Sequence, residues 1–268
     1  MLQDLRCLAL TVLGEADPTR KAAASRRLWQ AWQAGALSLD VEAHWTEPEG
    51  VPGRPLRPVL TSRLSQRSRS PHTREGRAAL LHAIAHIEFN AINLALDAVF
   101  RFPNLPVDFY ADWLRVAAEE ALHFTLLRDH LHSLGADYGD FEAHDGLWQM
   151  CHATRHDFRA RMALVPRTLE ARGLDATPPL QQKLAAAGDS RAVDILDIIL
   201  RDEIGHVAIG NRWYRWACDR DGVDPDSDFA AQCNRYGAPR PRRPLNLGAR
   251  ALAGFSADEL QRLDAQAL

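Results

Sequence analysis

Two short motifs carry the chemistry of this chain. Glu120-Ala-Leu-His123 and Glu203-Ile-Gly-His206 both read ExxH. On an α-helix, residues three apart share a face, so each motif offers one carboxylate and one imidazole to the same point. Glu88 precedes Glu120 by 32 positions, and Glu170 precedes Glu203 by 33. The order Glu…ExxH therefore occurs twice, which is the ligand order of a di-metal carboxylate site in a ferritin-like bundle. Four carboxylates balance two divalent cations. One ExxH carries little weight, because a chain this rich in Glu and His gives roughly half of one by chance. Two of them, each set among apolar residues and each preceded by a Glu at a matched distance, carry much more.

The neighbours argue for burial. Leu81, Ile84, Ala85, Ile92 and Ala95 trace an apolar stripe with Glu88 in its middle. Leu114, Ala117, Ala121 and Phe124 surround Glu120 and His123. Leu196, Ile199, Leu200, Val207 and Gly210 surround Glu203 and His206, and Met162, Val165 and Leu169 lead into Glu170. A buried carboxylate without a partner loses several kcal/mol of hydration, so four in one core call for something positive between them. Carboxylates with two imidazoles and no thiolate suit iron or manganese, whereas structural zinc favours cysteine. Two iron ions are the expectation, with manganese as the alternative. Three further residues are candidates for supporting roles. His86, beside the Glu88 face, would donate a proton. Asp202, like Glu119, would orient a ligand imidazole on a neighbouring helix. Arg172 would pair with a ligand carboxylate or a substrate anion, a surface ion pair being the competing reading. Trp113, Trp148, Trp213 and Trp216 read as packing residues.

These side chains need long helices. The pattern predicts an all-α fold, a four-helix bundle with helices over about 74–101, 107–134, 145–172 and 190–219. Pro103 follows the first, Gly135 stops the second, Gly173 stops the third, and Asp189 or Ser190 caps the fourth. Pro166 should kink the third. Residues 1–73 read as two helices (about 2–14 and 18–34) and a Pro/Arg-rich extended arm; Pro52, Pro55 and Pro58 forbid a long helix there. Residues 221–268 read as a tail on the bundle with one weak helix after Ser256. The three segments are expected to form one structural domain.

The reading contains a tension. The symmetric ligand order requires the second and third helices to run parallel, joined by a crossover. Ten residues from Gly135 to Asp145 reach roughly 35 Å when extended. Straight helices would place the two ends ~21 Å beyond the site on one side and ~37 Å on the other. A break within 145–156, or an early end to the second helix, is therefore expected.

Composition bounds the function. The chain has 268 residues, 46% apolar and 25% charged, with 32 Lys+Arg against 35 Asp+Glu and a formal net charge of −3. No global positive field draws in nucleic acid or an anionic membrane. Arg63, Arg67, Arg69, Arg74 and Arg77 make one basic strip that leaves RNA open as a partner. The four cysteines form no CxxC pair, which fits a reducing, cytoplasmic location. No apolar run of about 18 residues predicts a membrane span. The apolar N-terminal stretch, interrupted by Asp4 and Arg6, reads as an amphipathic helix rather than a signal peptide.

The blocks LHAIAHIEFNAINLALDAVFRF (81–102), DWLRVAAEEALHF (112–124), YGDFEAHDGLW (138–148), RMALVPRTLEARGLD (161–175) and RDEIGHVAIGNRWY (201–214) resemble a bacterial family of ferritin-like proteins, known mainly as a domain of unknown function. The resemblance runs over essentially the whole chain. It implies metal residues at Glu88, Glu120, His123, Glu170, Glu203 and His206, a ferritin-like bundle and a di-iron site, and it supplies no substrate. A more distant similarity is to the tRNA-modifying di-iron hydroxylases. The expected function is a non-haem di-iron oxidoreductase that uses dioxygen to oxidise an unknown small-molecule substrate, with hydroxylation as the first reaction class. With no electron-transfer cysteines in the chain, an external reductase would supply electrons. The alternatives are a non-catalytic iron-handling protein and a tRNA-modifying hydroxylase. A homodimer is compatible with the sequence.

Overall fold

Helix-forming segments with clear caps dominate the computed structural model, which describes residues 2–61 and 69–268. Arg63 and Arg67 of the basic strip lie outside the described residues. The chain forms two compact units, Met1–Trp148 and Gln149–Leu268.

In the first unit, α1 (Leu5–Leu13) and α2 (Pro18–Gln33) begin at Asp4 and Asp17, whose carboxylates accept backbone N–H bonds of the first turn. Then come α3 (Arg74–Arg101), capped by Thr73, and α4 (Val107–Ser133). These two form an antiparallel hairpin; α1 packs on α3 and α2 on α4. The two helices expected at the start of the chain are present and belong to the packing of this unit. Every residue of α3 from Glu88 to Phe100 is buried. By length and apolar content α3 could cross a membrane, but 78% of its apolar window is buried by the protein itself. Two buried cations hold the connections. Arg6 donates to the carbonyls of Asp40, Val41, Ala43 and Phe100. Lys21 Nζ donates to Gly53 O at 2.8 Å and to Asn93 Oδ1 at 2.5 Å. Two short parallel pairs complete the unit: β1 (Gln3–Asp4) with β2 (Leu37–Ser38), and β3 (Leu60–Thr61) with β4 (Ala143–His144). No strand was expected after residue 74, and β4, two residues long, is too short to leave an alternating pattern.

The expected break is present. A short helix, α5 (Gly146–Ala153), is separated from α6 (Phe158–Leu164) by a turn, and Asp157 caps α6 by accepting from Ala160 N. Pro166 has no N–H to give, so the backbone widens into a π-helical stretch over Val165–Glu170. Gly173 does not end the helix: α7 runs on through it, from Ala171 to Ala186. Glycine in a helix costs only about 1 kcal/mol against alanine, which packing offsets. Pro178 within α7 leaves Leu174 O without its helical donor, and Asn246 Nδ2 donates to that carbonyl at 3.2 Å.

In the second unit, α8 (Ser190–Asp221) starts at the expected Asp189 cap and ends at Gly222 in the left-handed conformation. The helices α6 and α7 and the π stretch all pack on α8. Beyond it lie α9 (Pro225–Tyr236), α10 (Leu247–Leu252) and α11 (Ala257–Gln266). Only α11 was expected, and its Ser256/Glu259 capping box explains why it was legible. The tail is anchored by charge: Arg250 donates to both oxygens of Asp175, and Arg167 pairs with Glu259 while also donating to Asn211 Oδ1 at 2.5 Å. Gly210 of α8 meets the π stretch so closely that a Cβ there would lie 2.4 Å from Pro166 Cβ. Gly210→Ala gains about 1 kcal/mol of helix propensity but pays about 1–3 kcal/mol of overpacking. A lower urea midpoint is expected, and a raised one would show that the approach is not that close.

Candidate metal centre

The first Glu…ExxH half comes together within the first unit. Glu88 from α3 and Glu120 and His123 from α4 are 3%, 0% and 0% exposed. His123 Nδ1 lies 3.1 Å from Glu88 Oε2 and 3.3 Å from Glu120 Oε2. One ligand atom from each residue falls within 4.8 Å of the other two. Helix register explains the burial. Ile84 and Ile92 lie one turn to either side of Glu88, and Val116 and Phe124 do the same for Glu120; all four are buried. Burial, then the neighbouring charge of Glu120, push the Glu88 carboxyl well above the usual carboxylate range, against the pull of His123.

The donor set fits a divalent cation. Ligand atoms about 2.1 Å from one ion stand at most about 4.2 Å apart, so shifts of a few tenths of an ångström would close the triad. Two carboxylates and an imidazole without a thiolate match iron or manganese. A bound cation would also remove the cause of the raised Glu88 pKa, by replacing lost hydration with direct coordination.

The second half lies in the second unit. Glu203 and His206 of α8 are 7% and 1% exposed, and His206 Nδ1 stands 4.0 Å from Glu203 Oε1. Buried Ile199 and Val207 lie one turn to either side of Glu203, repeating the register of the first half. Glu170 is the last residue of the π stretch, half-buried, on the segment that packs against α8.

His86 is bonded through Nδ1 to Tyr138 Oη at 2.9 Å and through Nε2 to Asn90 Nδ2 at 2.9 Å. At ~100° per residue it faces about 160° away from Glu88 around α3. Asp202 accepts from the exposed Arg201 guanidinium at 2.8 and 3.2 Å, Glu119 stands 4.0 Å from Arg115 on the same helix, and Arg172 is exposed. Trp113, Trp148 and Trp213 are buried, and Trp213 packs edge-on against Trp216.

Sequence reasoning missed a polar cluster on the other side of α3, made by Lys21, Arg54, Asn93 and Tyr138. One signal was available: Lys21, Ser25 and Leu28 share a helical stripe that continues into apolar positions, and an ammonium on such a stripe needs buried acceptors. Burial also drives the imidazoles of His82 and His86 down to about 4. A histidine whose folded pKa lies below its unfolded value stabilises the fold above the unfolded pKa, and that stability is lost as pH falls toward the folded pKa. Each should therefore cost about 2 kcal/mol between pH 7 and pH 5. Urea midpoints should fall steeply over that range in the native chain and less steeply in His82→Gln. Equal slopes would refute this assignment.

Residues 14–261 match the family described as "Protein of unknown function (DUF455)". The chain is also 47% identical over 259 residues, 93% of its own length and 90% of the relative's, to an uncharacterized protein of Haemophilus influenzae. No solved structure matches it.

Proposed function

We propose a function on the premise that the chain belongs to the DUF455 family: it is a non-haem di-iron carboxylate oxidoreductase. The ligand order implies a ferritin-like four-helix bundle. Glu88, Glu120 and His123 would hold one ion, and Glu170, Glu203 and His206 the other. The buried Glu88–Glu120–His123 triad is the observation that carries this reading. Two carboxylates that water cannot reach are unfavourable by themselves, and they become favourable around a cation.

When bound, a pair of iron ions supplies the electrons that activate dioxygen. The chain's own residues do the rest. Glu88 and Glu120 provide the negative charge that holds the cation. His123 Nδ1, 3.1 and 3.3 Å from the two carboxylates, would be the third ligand, and binding there would displace a proton that the three side chains share. Ile84, Ile92, Val116 and Phe124 keep bulk water from the ligands, and Ile199 and Val207 flank Glu203 in the same way. The substrate would be a small molecule, and an external reductase would restore the ferrous state.

Oxygen uptake tests the enzyme reading. Reduced, iron-loaded protein is expected to consume dioxygen repeatedly when reductant is resupplied. Uptake that stops after one turnover with iron retained would favour iron handling over catalysis. Uptake no faster than that of Glu120→Ala would remove the oxidoreductase assignment.

A further inference from the structure

Residues 135–145 join α4 to α5 and lie against the flank of the α3–α4 hairpin. Tyr138 is the plug of this segment. Its ring stacks on His82 of α3 at a centroid distance of 5.4 Å and an interplanar angle of 21°. It also packs 5.3 Å from Phe89 and 5.1 Å from Phe124, the residues that directly follow Glu88 and His123. Phe141 meets the same His82 ring edge-on at 5.4 Å.

One hydrogen bond fixes the state of that imidazole. Gly139 N–H donates to His82 Nε2 at 2.9 Å, so Nε2 carries no hydrogen and Nδ1 does. His82 is fully buried, and its Nδ1 has no hydrogen-bond partner. Protonation would set a hydrogen on Nε2 head to head with the Gly139 N–H. It would also place a positive charge where water cannot reach it. The closed segment and the imidazolium therefore exclude each other.

The surrounding charges do not reverse this. Burial pushes the His82 pKa down to about 4, against the pull of Asp140 and Asp137. Asp137 is engaged by Arg128 at 2.7 and 2.9 Å and by His132 at 2.9 Å, and the Arg128 bonds above all hold its carboxyl far below the usual range. Arg69 lies over the Phe141 ring and pairs with Glu75, and Arg57 reaches Gly139, where a Cβ would lie 3.1 Å from Arg57 Cβ. His86, one turn along α3, is bonded to the Tyr138 hydroxyl, whose own pKa burial raises. The far end of the segment is tied separately: Ala143 N donates to Val59 O at 3.0 Å, and Asp145 pairs with Arg54 at 2.7 Å. Acid thus acts on the middle of the segment and leaves both ends attached.

We propose that His82 is a proton-operated latch, and that residues 138–141 form a lid that lifts from the α3–α4 flank when the ring takes up a proton. Closed, Nε2 accepts the Gly139 N–H. Open, the imidazolium and the freed N–H are hydrated, and Tyr138 withdraws from Phe89 and Phe124. The closed-state pKa is about 4 and the open ring has the ordinary value near 6.5. The lid is therefore held shut above that ordinary value, and opening becomes tenfold easier for each pH unit lost below it. From pH 7 to pH 5 this amounts to about twentyfold.

Hydrogen exchange of the full-length protein tests the latch, read by mass spectrometry over residues 135–144 and corrected for the intrinsic pH dependence of exchange. Protection of this segment should be at least tenfold weaker than at the centre of α3 at both pH values, which marks a local opening. It should fall at least twentyfold from pH 7 to pH 5. His82→Gln keeps an oxygen to accept the Gly139 N–H and has nothing to protonate, so its fall should be about twentyfold smaller. His86 is present in both chains and cancels from the comparison. The native chain is decisive even if the variant folds poorly, and the lid's own amides are followed, so the latch can stand where the metal assignment fails. Unchanged protection at pH 5, protection equal to that of central α3, or an equal fall in His82→Gln would each overturn the proposal.

Discussion

Glu120→Ala should abolish binding of one of the two ions, lowering content from about two ions per chain to about one. Glu120 is fully buried and its Oε2 lies 3.3 Å from His123 Nδ1, so its loss removes a ligand and leaves a cavity beside the imidazole. Losing a single ligand removes several kcal/mol from binding that for closed structural sites totals about 10–16 kcal/mol. Glu203→Ala should have an equal effect on the second half. Elemental analysis of the two variants, with circular dichroism to establish folding, checks this. Full metal retention in both folded variants would defeat the ligand assignment.

The second large effect separates charge from shape at Glu88. Without a cation, burial favours the protonated carboxyl, so Glu88→Gln replaces a neutral acid with a neutral amide of the same size. The metal-free variant should unfold at or above the temperature of the metal-free native chain. Bound metal reverses the order. An ion present at 1,000 times its dissociation constant stabilises by about 4 kcal/mol, or roughly 8–16 °C in a protein of this size. Chelation should therefore lower the native chain's midpoint by that amount more than it lowers that of Glu88→Gln, which keeps the ligands of the second ion. An equal chelator response in both would mean that Glu88 does not hold the ion.

Much of this was legible in the sequence because strong local signals coincide with tertiary roles. Asp189 and Ser256 stand at helix starts where the pattern put them, and the apolar turns flanking Glu88, Glu120 and Glu203 mark buried faces. The arithmetic of a ten-residue connection called for a break within 145–156 or an early end to the second helix, and the turn after Ala153 falls in that stretch. The errors have equally definite causes. Gly173 reads as a stop only if its φ is positive, and here it stays helical. The helix at Pro225–Tyr236 was passed over because its neighbourhood is rich in proline and arginine, although Asp224, Pro225 and Gly237 form a complete set of end signals. His86 is two residues from Glu88 in sequence and nearly opposite it on the helix. The Lys21–Asn93 contact spans 72 positions, so it leaves no local pattern to read.

Anomalous scattering at the iron edge, from crystals of protein purified without added ions, addresses the main assignment most directly. Two peaks are expected, one bounded by Glu88, Glu120 and His123 and the other by Glu170, Glu203 and His206. Well-ordered density for all six side chains with no anomalous peak beside any of them, or with metal bound only elsewhere, would contradict it.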